Sequence, residues 1–277
     1  MHIRIAHETL YRYDTPAKMA TQILRLTPRN HDGQHVANWR IELSENCRMH
    51  RGEDAFGNVT HTFTAEGNFD TLKVAVEGIV DTADTSGVVR GTVERFPPQM
   101  FLRSTSMTMA DADIVAFAEK ARANAGRAAN EIAILHALLG ALHGAMVFDT
   151  DPTNTGTTAT EAFALKRGVC QDMTHIFIAC GRALGIPARY VSGYFRRNDG
   201  VVNQDAGHAW AEAFVKDLGW VAFDPTNGIS ATDAHVRVAT ALDYLGAAPV
   251  RGTQIGGTNE TLWVAIVVDQ IRQQMQN

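Results

Sequence analysis

Cysteine is scarce: Cys47, Cys170 and Cys180 are the only three in 277 residues. The number is odd and no CxxC pair occurs, which argues against a disulfide scaffold and for free thiols in a reducing compartment. Long apolar runs are missing as well. No stretch approaches the roughly 18 apolar residues of a membrane span, and the opening Met-His-Ile-Arg-Ile-Ala-His-Glu has no apolar signal core. A soluble, cytoplasmic protein with no membrane partner is expected. Basic excess is absent too: the net charge is −5, so nothing favours a nucleic-acid partner. No internal repeat or low-complexity tract occurs. What is present, 45% hydrophobic and 20% charged residues, lies in the globular range. The length allows one large or two ordinary domains.

Residues 1–82 read as short strands separated by turns. The run Ile3 to Tyr13 meets Asp14-Thr15-Pro16, residues 23–27 meet Pro28-Arg29-Asn30, and 39–43, 59–63 and 72–76 follow. Such spacing predicts a β-sandwich-like unit, and no chemistry is visible in it. Residues 83–110, with Pro97-Pro98, have the composition of a domain boundary. The division is an N-terminal β-rich domain over 1–95 and a catalytic domain over 96–277. The first is expected to fold separately and to hold none of the reacting groups. Helical periodicity then runs over 111–125, and again from about 130 with Leu135, Leu139 and Leu142 on one face. A strand over 189–195, a polar loop over 196–207 and an apolar tail over 262–271, read as a buried strand, complete an α+β second part.

One stretch stands out: Gly168-Val169-Cys170-Gln171-Asp172-Met173-Thr174-His175, leading into an apolar helical run that ends at Gly185 and Pro187. Backbone N–H groups at a helix start are unpaired, and the helix dipole favours negative charge there. A cysteine at that place is suited to act as a thiolate nucleophile, although most cysteines are buried and inert. Two later segments bear on the choice. Gly207-His208-Ala209-Trp210-Ala211-Glu212 alternates as a strand, and Gly219-Trp220-Val221-Ala222-Phe223-Asp224-Pro225 is a second. A turn at 216–218 makes them a hairpin, which brings Asp224 toward His208. Nucleophile, base and orienting carboxylate thus fit one helix plus one hairpin.

In order and spacing, GVCQDMTHIFIACGRALGIPARYVSGYF, GHAWAEAFV and GWVAFDPTNG resemble the core of the transglutaminase-like superfamily of papain-type thiol enzymes. The similarity is strongest to bacterial members with an additional N-terminal β-domain. It implies a papain/transglutaminase-like core of helices plus antiparallel sheet. It also implies Cys170 as nucleophile, His208 as base and Asp224 as the residue that orients it. Met173-Thr174 stands where Phe-Ala is more usual, and Ala241-Leu242-Asp243-Tyr244 replaces Gly-Arg-Asp-Tyr, so that motif's arginine is missing.

Bland readings account for the other candidates. His136 and His143, or His31 and His35, lack a third ligand at a metal-site spacing. Residues 149–154 have Asn154 where a calcium loop needs glycine. No metal or cofactor is expected. His175 and Cys180 read as structural, and Asp205 as solvated or substrate-facing. The expected chemistry is attack of the thiolate on an amide or ester carbonyl, giving a thioester. Water resolves it in a peptidase or amidase, the reading put first. An amine resolves it in a transglutaminase, and a non-catalytic peptide-binding module comes third. The partner is a peptide or protein substrate; oligomeric state is left open.

Overall fold

The computed structural model describes residues 1–271. Its first unit is one antiparallel sheet containing β1 (His2–Thr27), β2 (Gln34–Leu43), β3 (His50–Glu53) and β4 (Val59–Thr82). β1 and β4 run side by side for almost their whole length, where the sequence suggested separate short strands. Asp14-Thr15-Pro16 does not end a strand. It lies in the interval between Arg12 and Ala17 where the register with β4 shifts. An irregularity there bends the strand instead of stopping it, and it tolerates a proline that has no N–H to donate. Residues from both halves of each long strand, such as Tyr11, Leu24, Phe63 and Val74, share one core. One bent sheet thereby supplies both faces of the sandwich-like unit.

After β5 (Val88–Val89) come α1 (Ala112–Ala125) and α2 (Glu131–Ala145). Asp111 and Asn130 cap them by accepting the N–H groups of Ile114 and Ala133. The chain continues through β6 (Val147–Phe148), α3 (Ala159–Leu165) and β7 (Arg167–Gly168) into α4 (Cys170–Ala183). Every residue of α4 from Gln171 to Arg182 is buried, the mark of a central helix. A sheet of β8 (Ala188–Phe195), β10 (His208–Val215), β11 (Gly219–Asp224), β12 (Ile229–Ser230) and β13 (His235–Ala241) packs against it, with short β9 (Asn203–Gln204) lying outside. Ala209, Ala211 and Ala213 alternate on the side of β10 that joins the α4 core. Their small side chains let α4 approach closely, and Phe177 stacks on Phe223 of β11. Full burial of a side chain such as Phe177 or Phe223 contributes about 1.5–3 kcal/mol.

The end of the chain departs from the division drawn at 95/96. After α5 (Tyr244–Ala247), β14 (Val250–Thr258) and β15 (Thr261–Gln270) leave the α4 sheet and pair with β1. Residues 96–271 are therefore not one spatial unit. The apolar run at 262–271 is a strand to Gln270, but it is buried only in part: Ile266 and Val268 are buried, whereas Leu262 and Trp263, near its start and on opposite faces, are 57% and 53% exposed.

Separate folding of the first unit, expected from composition, also gives way to interlocking. β5 pairs with β11. Asn58 donates to the Thr240 carbonyl and accepts the Thr240 N–H, both at 2.8 Å. Glu94 meets Arg189 at 2.7 Å, and both Arg189 and Arg237 donate to Glu212. Arg189 and Glu212 are buried, where an unpaired charge would be costly. Burial pushes the Glu212 carboxyl up, but Arg237 and Arg189 outweigh it and hold it at about 2.

Burial holds three histidines at about 4, from an ordinary 6.5: His7, whose Nδ1 lies 2.9 Å from the Tyr194 hydroxyl, His31 and His175. A depressed histidine contributes stability above its unfolded value and loses it as pH falls through 6.5 toward 4. Between pH 7 and pH 5 each loses about 2 kcal/mol. Calorimetry at pH 5.5 in buffers of different ionisation enthalpy should show proton uptake on unfolding, with about one proton from each of these rings. Uptake near zero would mean that these rings are charged in the folded protein.

Candidate active site

Cys170 is the first residue of α4, and Val169 before it is extended. Its thiol is half-buried. The helix start is fixed by Asp172, whose carboxylate accepts the Val169 N–H at 2.8 Å and the Thr153 hydroxyl at 2.7 Å. A third-position acid reaching back to the cap N–H is half of a capping box. Gly168 is required here, because a Cβ would sit 2.5 Å from the Asp172 Oδ2. Asp172, read from the sequence as an ordinary helix residue, is thus buried and joins the 149–158 loop to the cysteine.

The hairpin forms as expected, turning through Asp217 at a φ of 69°. It brings His208 Nε2 to 2.7 Å from Asp224 Oδ2. With Nε2 donating to the carboxylate, Nδ1 is the ring nitrogen left for the Cys170 thiol. The Cys170 Sγ also lies 4.0 Å from the Gly207 carbonyl oxygen. The structure therefore brings together all three residues singled out in the sequence. Burial pulls His208 down, but Asp224 and the Cys170 sulfur more than offset it and raise it to about 10. Asp224 is fully buried and lies well below the carboxylate range; burial opposes this, and His208 and His235 outweigh it.

His235 is the residue that sequence reasoning missed. It opens β13, and its Nε2 lies 3.1 Å from Asp224 Oδ2. No spacing rule links it to the other three residues, and only the pairing of β13 with β8 carries it there. Asp224 accepts three more hydrogen bonds: Asn227 Nδ2 at 2.6 Å on Oδ2, and the Thr226 and Asn227 N–H groups at 3.1 and 3.2 Å on Oδ1. Phe195 and Trp210 pack against the His208 and His235 rings. Gly193, opposite His208 in the register, leaves room for the Trp210 ring.

His208, Asp224 and His235 also offer donor atoms within 4.8 Å of one another, the spacing of a metal site. Here those atoms face one another through hydrogen bonds. The histidine pairs noted in the sequence do not belong to this group. His175 is buried and its Nε2 accepts the Tyr244 N–H at 3.0 Å, so it anchors α5. Cys180 is buried, and its thiol is pushed up to about 12 by burial. Asp205 is exposed in the loop before His208. No helix among the described residues is long and apolar enough to cross a membrane.

Comparison with known proteins points to one family and one fold. Residues 117–225 match the model of the transglutaminase-like superfamily. Residues 3–81 match that of the bacterial transglutaminase-like N-terminal region. An uncharacterized Mycobacterium leprae protein is 29% identical over 97% of this chain and 99% of its own. A Pseudomonas aeruginosa protein-glutamine gamma-glutamyltransferase is 30% identical over 39% of this chain and 18% of its own. The crystal structure of a candidate cysteine protease from Cytophaga hutchinsonii superposes with a TM-score of 0.74. It is 21% identical and covers 98% of this chain and 92% of its own, a likeness of fold.

Proposed function

We propose that this chain, which belongs to the transglutaminase-like superfamily, is a thiol hydrolase that cleaves peptide or amide bonds through Cys170, His208 and Asp224. The observation that carries this reading is a buried carboxylate 2.7 Å from His208 Nε2, with the half-buried Cys170 sulfur 4.0 Å from the carbonyl of the residue before that histidine. His208 Nδ1 takes the thiol proton, and the Cys170 sulfur attacks the carbonyl carbon. The free N–H of Cys170 at the start of α4 donates to the oxyanion. Collapse of the intermediate expels the amine, which leaves with the proton from His208, and a thioester remains on Cys170. Water, deprotonated by His208, then releases the acid and restores the thiol. Asp224 keeps the ring proton on Nε2 throughout.

Hydrolysis is favoured over transfer because residues 205–207, beside the sulfur, are exposed, and a transferase must shield its thioester from water. The similarity to the Pseudomonas transferase favours the second reading, in which an amine resolves the same thioester. A competition separates the two: acyl-donor peptides are supplied with millimolar primary amine and both products are followed by mass spectrometry. Free acid is expected to dominate. Amine adducts in excess across many donors would establish the transferase, and no product from any donor would favour a binding module. A cytoplasmic site of action, suited to its free thiols, is part of the same proposal.

A further inference from the structure

We infer that the N-terminal sheet sets the geometry of the Cys170–His208–Asp224 site through the turn leading into β13, with His235 as the positioning residue. The inference rests on the hydrolase reading of that site and gives the first unit a role in it. His235 Nδ1 accepts the Thr232 N–H at 3.1 Å. The ring proton is therefore on Nε2, which donates to Asp224 Oδ2. Burial keeps the ring neutral, with its side chain 3% exposed. A neutral donor holds the carboxylate without competing for its charge.

Oδ2 is the atom that orients His208, and its three side-chain donors are not equivalent. His208 is the ring to be oriented. Asn227 belongs to the same turn as Asp224 and is exposed. His235 alone among the described donors ties Oδ2 to a different part of the sheet. Its ring is packed by Phe195 at 4.6 Å and Trp210 at 5.2 Å, so its aim follows the backbone of the turn that carries it.

That backbone is held from the N-terminal sheet on both sides of His235. Before it, the Thr82 hydroxyl at the end of β4 donates to the Asp233 carbonyl at 2.5 Å. After it, the buried Gln34 of β2 donates to the Arg237 carbonyl at 2.9 Å and accepts the Arg237 N–H at 2.8 Å. Its other amide hydrogen goes to the Arg29 carbonyl at 2.8 Å. Gln34 thus pairs with Arg237 as a neighbouring strand would. A side chain used in this way transmits position rather than mere attachment.

The test uses the full chain and two readouts: the downfield imidazole proton of His208 Nε2 by NMR, and the rate of Cys170 alkylation by iodoacetamide. His235→Phe should move or abolish the proton signal and slow alkylation about tenfold, the worth of one buried hydrogen bond. His235→Gln, which keeps a donor, should restore most of both. Gln34→Leu, which touches none of the reacting groups, should shift the same signal and slow alkylation about threefold, a fraction of one such bond. An unmoved signal with wild-type alkylation in Gln34→Leu, or in a folded His235→Phe, would overturn the inference. The hydrolase reading fails separately, if wild-type Cys170 shows no selective alkylation, because the NMR signal needs no chemistry at sulfur.

Discussion

His208→Ala is expected to lower kcat/KM for amide hydrolysis by about 10²–10⁴-fold, the usual contribution of a positioned acid–base group. Alkylation of Cys170 should slow in parallel, because the ring that takes the thiol proton is gone. In the folded wild type, a limited iodoacetamide pulse near neutral pH should label Cys170 before the other two cysteines. Burial raises both competitors, Cys180 to about 12 and Cys47 with help from Glu45. Equal labelling of Cys180 would end the case for one activated thiol. The pH profile carries a further signature. His208 lies at about 10, above its ordinary 6.5, so its ion pair stabilises the fold fully below 6.5. That contribution is lost as pH rises toward 10, and hydrolysis should fall through the same alkaline window. Asp224→Asn should not be a mild change. Five donors converge on the two oxygens, so an amide NH2 would face donors in either orientation. Each buried donor left unsatisfied costs about 1–3 kcal/mol.

Removal of residues 1–95 is expected to abolish folding of the remainder, not merely its activity. β15 is zipped to β1 from Ile3 to Arg12, and β14 to β1 from Thr15 to Leu24. Without β1 both strands lose the partner that orders them, and β15 exposes Ile266 and Val268. Loss of Glu94 leaves the buried Arg189 with a single carboxylate, and loss of Asn58 strips the Thr240 backbone of both its bonds. Losses of this kind are set against a total of only about 5–15 kcal/mol that stabilises a domain. A 96–277 fragment should show no cooperative thermal transition by circular dichroism and no preferential alkylation of Cys170. A folded fragment with a selectively reactive Cys170 would mean that the sheet is a dispensable neighbour.

The second half of the fold was legible because its signals are local. Apolar periodicity announces the helices over 111–125 and from about 130, and the stretch at 168–170 announces the next by a glycine before an apolar period. The hairpin of β10 and β11 follows from a three-residue turn, and that turn alone is enough to bring Asp224 to His208. Short loops convert sequence order into spatial order with little freedom. The strands of the first unit were legible in type and not in extent. Asp14-Thr15-Pro16 is a turn signal locally, and the continuous partner β4 makes it a bend in a longer strand.

The candidate constellation was readable in the residues and in their resemblance to the transglutaminase-like core: which cysteine begins a helix, which histidine opens a strand, and which aspartate closes its hairpin. Those features depend on backbone geometry over a few residues and on apolar period. What surrounds them is set by long-range packing. It placed His235 on Asp224 across the sheet, sent β14 and β15 back to β1, and clasped the β13 turn with Gln34 and Thr82. Each of these joins residues far apart in the chain, where no periodicity or turn rule constrains the pairing. Such contacts are selected by the collective packing of two cores, and a single stretch of sequence carries no trace of its distant partner.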